Sequence, residues 1–156
     1  MKHGIAFALV LLMASVCFAQ TESAFDTMKS LVGDWKGIGP EGDPVTVSYL
    51  LASGGTAVIE TLANPAMVTT YYLDGRHLMM THYCMANNQP RMKSPGQKGN
   101  SIAFEFVDAT NLASPDAGHM HGMVLTVKDA DHIQESWTWS EKGKTQTHHF
   151  ELERVK

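Results

Sequence analysis

From Trp35 to the C-terminus the chain divides into short segments rich in β-branched and aromatic residues, and glycine, proline or aspartate separates one from the next. This constrains the fold more than any other feature. Segments of this length and composition read as strands, and punctuation by turn residues reads as hairpins. Nine segments stand out: Trp35 to Ile38, Pro44 to Ala52, Thr56 to Leu62, Met67 to Leu73, Arg76 to Cys84, Ile102 to Val107, Met120 to Lys128, His132 to Ser140 and Thr145 to Val155. Tight turns are expected at Gly54-Gly55, Asp74-Gly75, Asp129-Ala130-Asp131 and Lys142-Gly143. Sequential hairpins make an antiparallel meander. A meander of about nine or ten strands in one small domain removes its exposed edges by closing into an up-and-down barrel. The expected fold class is therefore all-β. The polar stretch from Ala86 to Gly99 and the loop from Ala109 to Gly118 interrupt the regular spacing and read as lids over a barrel end.

Ahead of the first strand, Ser23 can cap a short helix whose Phe25, Met28, Leu31 and Val32 fall on one side before Gly33 stops it. Such a helix would plug or cover one end of the barrel. The chain begins with Lys2 and His3, an apolar run from Ile5 to Val16, and Cys17-Phe18-Ala19 before Gln20, the pattern of a secretory signal peptide over residues 1–19. That leaves 20–156 as a single domain in an exported, periplasmic or secreted protein. Ala14-Ser15-Val16-Cys17 offers the alternative of a lipoprotein anchored through Cys17, although Val16 is bulkier than the residue usual before a modified cysteine. The run spans about a dozen residues against the roughly 20 needed to cross a bilayer, so no integral membrane segment is expected. With the leader removed Cys84 is the only cysteine, and the fold cannot rest on an internal disulfide. A formal net charge of −4 without a Lys/Arg cluster argues against nucleic acid as a partner.

The opening segment Gly33-Asp34-Trp35-Lys36-Gly37-Ile38-Gly39 resembles the Gly-x-Trp start of the calycin superfamily, which includes lipocalins and fatty-acid-binding proteins. The extended form is similar to that of nitrobindin-type haem barrels. The segment Thr81-His82-Tyr83-Cys84, followed by Asn87-Asn88-Gln89-Pro90-Arg91, resembles uncharacterised secreted bacterial lipocalin-like proteins. The resemblance implies a lipocalin-like barrel with an arginine on the closing strand over the opening tryptophan. Arg154 is placed for that latch with Trp35.

Three site chemistries follow. Treating Asp74-Gly75 as a two-residue turn pairs Tyr71 with Leu78, Thr69 with Met80 and Met67 with His82. One face then carries Met67, Tyr71, Leu73, Leu78, Met80, His82 and Cys84, and is assigned to the interior. A cavity lined by Tyr71, Met80, Cys84 and Trp137 would accept a small, largely apolar molecule, with His82, His119, His121 and Arg91 orienting its polar end. Glu135 alternates with Ile133, Trp137 and Trp139, so an interior position would raise its pKa and make it an anchoring group. Alternation also puts His119 and His121 on one face with Met123, Leu125 and Val127, close enough to converge on one ion with His82 as a third ligand. Sulfur from Met80, Met123 or Cys84 would favour copper, histidines alone zinc. The nitrobindin resemblance implies a third chemistry, haem held by a histidine near the C-terminus, for which His148 has interior parity with Phe150, Leu152 and Arg154. No enzyme is assigned. The one nucleophile–base pair, Cys84 with His82, lies on one strand face, where neighbouring side chains point in parallel rather than toward each other.

Overall fold

The structure is a computed structural model that describes Thr21 and residues 23–156. The signal-peptide reading of residues 1–19 and its Cys17 alternative lie outside the described residues. A helix, α1 (residues 23–30), is followed by β1 (Gly33–Ile38), β2 (Pro44–Ala52), β3 (Ala57–Leu62), β4 (Met67–Asp74) and β5 (His77–Tyr83). Next come β6 (Gln89–Ser94), the two-residue β7 (Gln97–Lys98), β8 (Ser101–Thr110), β9 (His119–Val127), β10 (His132–Glu141) and β11 (Lys144–Arg154). Strands β1 through β6 pair antiparallel in succession, β1 with β2 up to β5 with β6, and so do β8 through β11, β8 with β9 up to β10 with β11. β1 against β11 and β6 against β8 close the circle. The result is a ten-stranded antiparallel barrel with β7 appended to β8, the expected all-β class.

Local chemistry sets the hairpins. Lys142 and Gly143 both have positive φ, and they connect the pair Glu141 and Lys144 as a two-residue turn matched to strand twist. At the β4–β5 turn the expected register is corrected. The two loop residues are Gly75 and Arg76, because glycine supplies the positive φ at the first central position. Asp74 therefore pairs with His77, Tyr71 with Met80 and Thr69 with His82. The slip preserves parity, so Tyr71, Leu78, Met80 and His82 are still buried.

The stretch from Ala86 to Gly99 is not a lid. It holds β6, which completes the barrel and buries Pro90, Met92 and Ser94 while Gln89, Arg91 and Lys93 alternate toward solvent. Its polar outward residues conceal the period of two. The second expected lid is shorter, because β8 runs to Thr110. The loop that follows is tied down: Asp116 O accepts from Lys142 N at 3.0 Å, and Gly118 O accepts from Asn88 Nδ2 at 2.9 Å.

Helix α1 buries Ala24, Phe25, Met28 and Leu31 in the barrel end formed by the β4–β5 and β6–β8 connections. The Thr21 hydroxyl lies 3.0 Å from both Arg76 O and Pro95 O there. Two details differ from expectation. Ser23 is exposed within the helix instead of capping it, since Thr21 is already helical, and Val32, past the last turn, is 38% exposed. The latch forms as the resemblance implies: the Arg154 guanidinium sits 4.3 Å from the Trp35 ring centroid, and the two residues pair across β1 and β11. Arg154 also donates to Ser30 O, Val32 O and Ala130 O, fastening the end of the helix to the closing strand.

Candidate functional site

Away from the helix, the barrel interior becomes polar along one line. Tyr49 on β2 pairs with Glu60 on β3, Glu60 with Thr69 on β4, and Thr69 with His82 on β5. All four are buried, so an in-register row of hydrogen-bonding side chains crosses four strands. Glu135 and Trp137 on β10 complete it. The Tyr71 hydroxyl donates to Glu60 Oε2 at 2.5 Å, the Tyr49 hydroxyl donates to Glu135 Oε1, and Trp137 Nε1–H donates to Glu135 Oε2 at 2.9 Å. Thr69 Oγ1 and His82 Nδ1 are 3.0 Å apart, and the His82 ring packs 4.8 Å from that of Trp137. His82 Nε2 is buried and has no hydrogen-bond partner among the described residues.

This row borders a cavity of about 30 Å³, enough for one group the size of a water molecule. Glu60, His82, Glu135 and Trp137 line it with Val47, Leu62, Met67, Met120 and Phe150. Outside lies a groove of about 250 Å³ whose walls include Glu41, Asp43, Pro65 and His148. Leu62, Met67 and Phe150 line both spaces, so these side chains form the partition between them.

Burial disfavours charge in the row. It pushes the Glu60 carboxyl well above its usual value, and the facing charge of Glu135 pushes it further. Burial also raises Glu135, although hydrogen bonds from Tyr49 and Trp137 oppose this. Tyr49 and Tyr71 are raised by burial and by the two carboxylates. Burial lowers His82 to about 4, leaving it neutral at neutral pH. Among the described residues no lysine or arginine lines the cavity.

Tyr71, Met80, His82, Glu135 and Trp137, all expected at the site, are buried in the barrel, with Met80 one layer nearer the helix as the pair of Tyr71. Arg91 is not with them. It stands on the outer face of β6, donating through Nε to Asp108 Oδ1 at 2.6 Å, because alternation turns it opposite to the buried Met92. Cys84 is half-buried in the β5–β6 turn, where its N–H donates to Asn88 O at 3.1 Å.

The expected three-histidine metal site does not assemble. Thr138 pairs with Gly122 and Trp139 with Met120, which leaves His121 as the extra residue of a β-bulge. Below the bulge Met123 and Leu125 face inward; above it Met120 lines the cavity and His121 is exposed. His119 Nε2 instead meets His121 Nδ1 at 3.1 Å, His119 Nδ1 meets Ala117 O at 2.8 Å, and both rings pack on Phe106. Among the described residues no three His, Cys, Asp or Glu side chains are grouped to hold a metal ion. The haem reading does not fit the interior either. His148 is half-buried at the outer groove, and the cavity behind it is far too small for a porphyrin.

Glu60, Tyr49 and Thr69 were missed by sequence reasoning. Their signal was present: a hairpin centred on Gly54-Gly55 puts Tyr49 opposite Glu60, and alternation groups Glu60 with Val58 and Leu62.

No family model matches the chain, and no curated protein matches it significantly. Among solved structures it is similar to the crystal structure of a protein of unknown function from the DUF3598 family of Nostoc punctiforme, with a TM-score of 0.57 and 13% identity. The match covers 82% of this chain and 49% of that one, so this chain spans about half the length of its neighbour. At this identity the likeness is one of fold.

Proposed function

We propose that this protein is an exported, lipocalin-like binding barrel that takes up a small ligand at the end opposite α1. The apolar body occupies the outer groove against Leu62, Met67 and Phe150, and the polar end enters the cavity bounded by Glu60, His82 and Glu135. Export rests on the Ile5 to Val16 run and the Cys17-Phe18-Ala19 step. The calycin-like reading rests on the Gly33-Asp34-Trp35 opening with its Arg154 latch.

One observation carries the reading: His82 Nε2 is a buried polar atom without a partner among the described residues, in a residue that lines the cavity. A buried unpaired nitrogen costs stability unless something occupies the space beside it. Groove and cavity together amount to about 280 Å³, just below the usual range for drug-sized ligands, which suits a small molecule.

The test is titration with the neutral fluorescent probe N-phenyl-1-naphthylamine. Saturable binding is expected, together with a loss of affinity of at least about tenfold in Met67→Trp, which fills the partition. Absence of saturable binding, or unchanged affinity in that variant, would overturn the proposal.

A further inference from the structure

Building on the binding reading above, we infer that the polar end of the ligand is an organic ammonium group, received by Glu60, Glu135 and His82. The hydrogen-bonding capacity of the cavity is the first reason. Tyr71 is committed to Glu60, Tyr49 and Trp137 to Glu135, and among the described residues no lysine or arginine lines the cavity. The two carboxyl groups share an apolar space, so a cationic head that enters it is matched once one of them gives up its proton.

The orientation of His82 is the second, independent reason. Thr69 Oγ1 and His82 Nδ1 are 3.0 Å apart, so Nε2 is the ring nitrogen that faces the space of one water-sized group, and with Nδ1–H donated to Thr69 it presents a lone pair there. An ammonium head has that size and offers only donors.

The approach to the site agrees. Among the described residues Glu41 and Asp43 are the carboxylates lining the outer groove and no lysine or arginine lines it, on a chain of net charge −4, so the field over the mouth attracts cations. A metal ion is disfavoured as the cation, because the carboxyl and imidazole groups are not clustered for direct coordination. An ammonium on an apolar stem fits the cavity, the partition and the groove in sequence. As it enters, the carboxyl pair gives up one proton to solvent, and the charge inside the barrel does not change.

The discriminating experiment is calorimetry with an isosteric pair, 2-phenylethylamine and 2-phenylethanol, alongside N-phenyl-1-naphthylamine. The amine is expected to bind at least about tenfold more tightly than the alcohol. Its affinity should rise from pH 5 to pH 8 as the carboxyl pair yields its proton. That titration involves Glu60 and Glu135 with Tyr49, Tyr71 and His82 around them. In Glu135→Gln, which keeps the shape of the side chain, the amine should bind no more tightly than the alcohol. Equal affinities for amine and alcohol, or an amine preference that survives in Glu135→Gln, would overturn the ammonium inference and leave the binding barrel standing. Failure of all three probes would overturn both.

Discussion

The two ends of the barrel are built on opposite principles. At the helix end, Phe25, Met28, Leu31 and Trp35 are fully packed, the Trp35 Nε1–H donates to Leu31 O at 2.8 Å, and Arg154 satisfies three carbonyl groups while covering the indole. At the mouth, Leu62, Met120 and Phe150 are half-buried, two carboxyl groups sit without a cation, and His82 keeps an unpaired nitrogen. Close packing with every polar group satisfied maximises stability. A buried, unsatisfied polar pocket lowers it, and proteins retain such pockets where they act. The helix end is thus built for stability, and the mouth is the end to which the proposed binding belongs.

The largest expected effect that would break this contrast is at the plug. Trp35→Ala should cost about 3–5 kcal/mol in urea denaturation, because a fully buried indole leaves a cavity and α1 loses its anchor. A cost below about 1 kcal/mol would show that the helix end does not hold the barrel. Arg154→Lys comes next, at about 1–2 kcal/mol, since an ammonium retains the charge but not the planar fork that reaches Ser30 O and Val32 O together. Full stability in that variant would reduce the latch to a surface charge. Phe150→Ala at the mouth should cost only about 1 kcal/mol, as expected for a half-buried side chain, while accelerating probe dissociation in stopped-flow measurements. A loss as large as that of Trp35→Ala would erase the distinction between the ends.

The smallest effect is read by its sign in thermal melts. Raised carboxyl groups contribute stability that is present below their ordinary value of 4.5 and is lost as pH rises through their folded values. His82, lowered from 6.5 to about 4, contributes stability that is present above 6.5 and lost as pH falls toward 4. Glu60→Gln removes part of the loss on the alkaline side, so the Tm of the variant relative to wild type should be higher at pH 8 than at pH 5. The reverse order would mean that Glu60 is ionised in the fold.

The legible elements were those whose physics is local. Pro44–Ala52 matched to the residue, and the Lys142-Gly143 turn formed as its glycine requires. The Trp35–Arg154 latch followed from a resemblance that places one residue at each end of the chain. β6 was illegible because its buried Pro90 and Ser94 do not look like core and its outward residues are polar. His119 is buried as expected, but His121 was misplaced because one extra residue in β9 turns Met120 to the cavity and leaves His121 exposed, and a bulge has no reliable signature in a single sequence.

The sequence by itself determined nine of the eleven strand segments, their closure into a barrel with one plugged end, and the strand faces that Tyr71 shares with His82 and Glu135 with Trp137, because a period of two and the chemistry of turns are written residue by residue. Only the tertiary structure decided that Tyr49, Glu60, Thr69 and His82 form one row facing Glu135, and that His119 and His121 turn to each other instead of to an ion. Register between strands and the arrangement across a closed barrel depend on where every hairpin and bulge falls at once, and no local segment carries that sum.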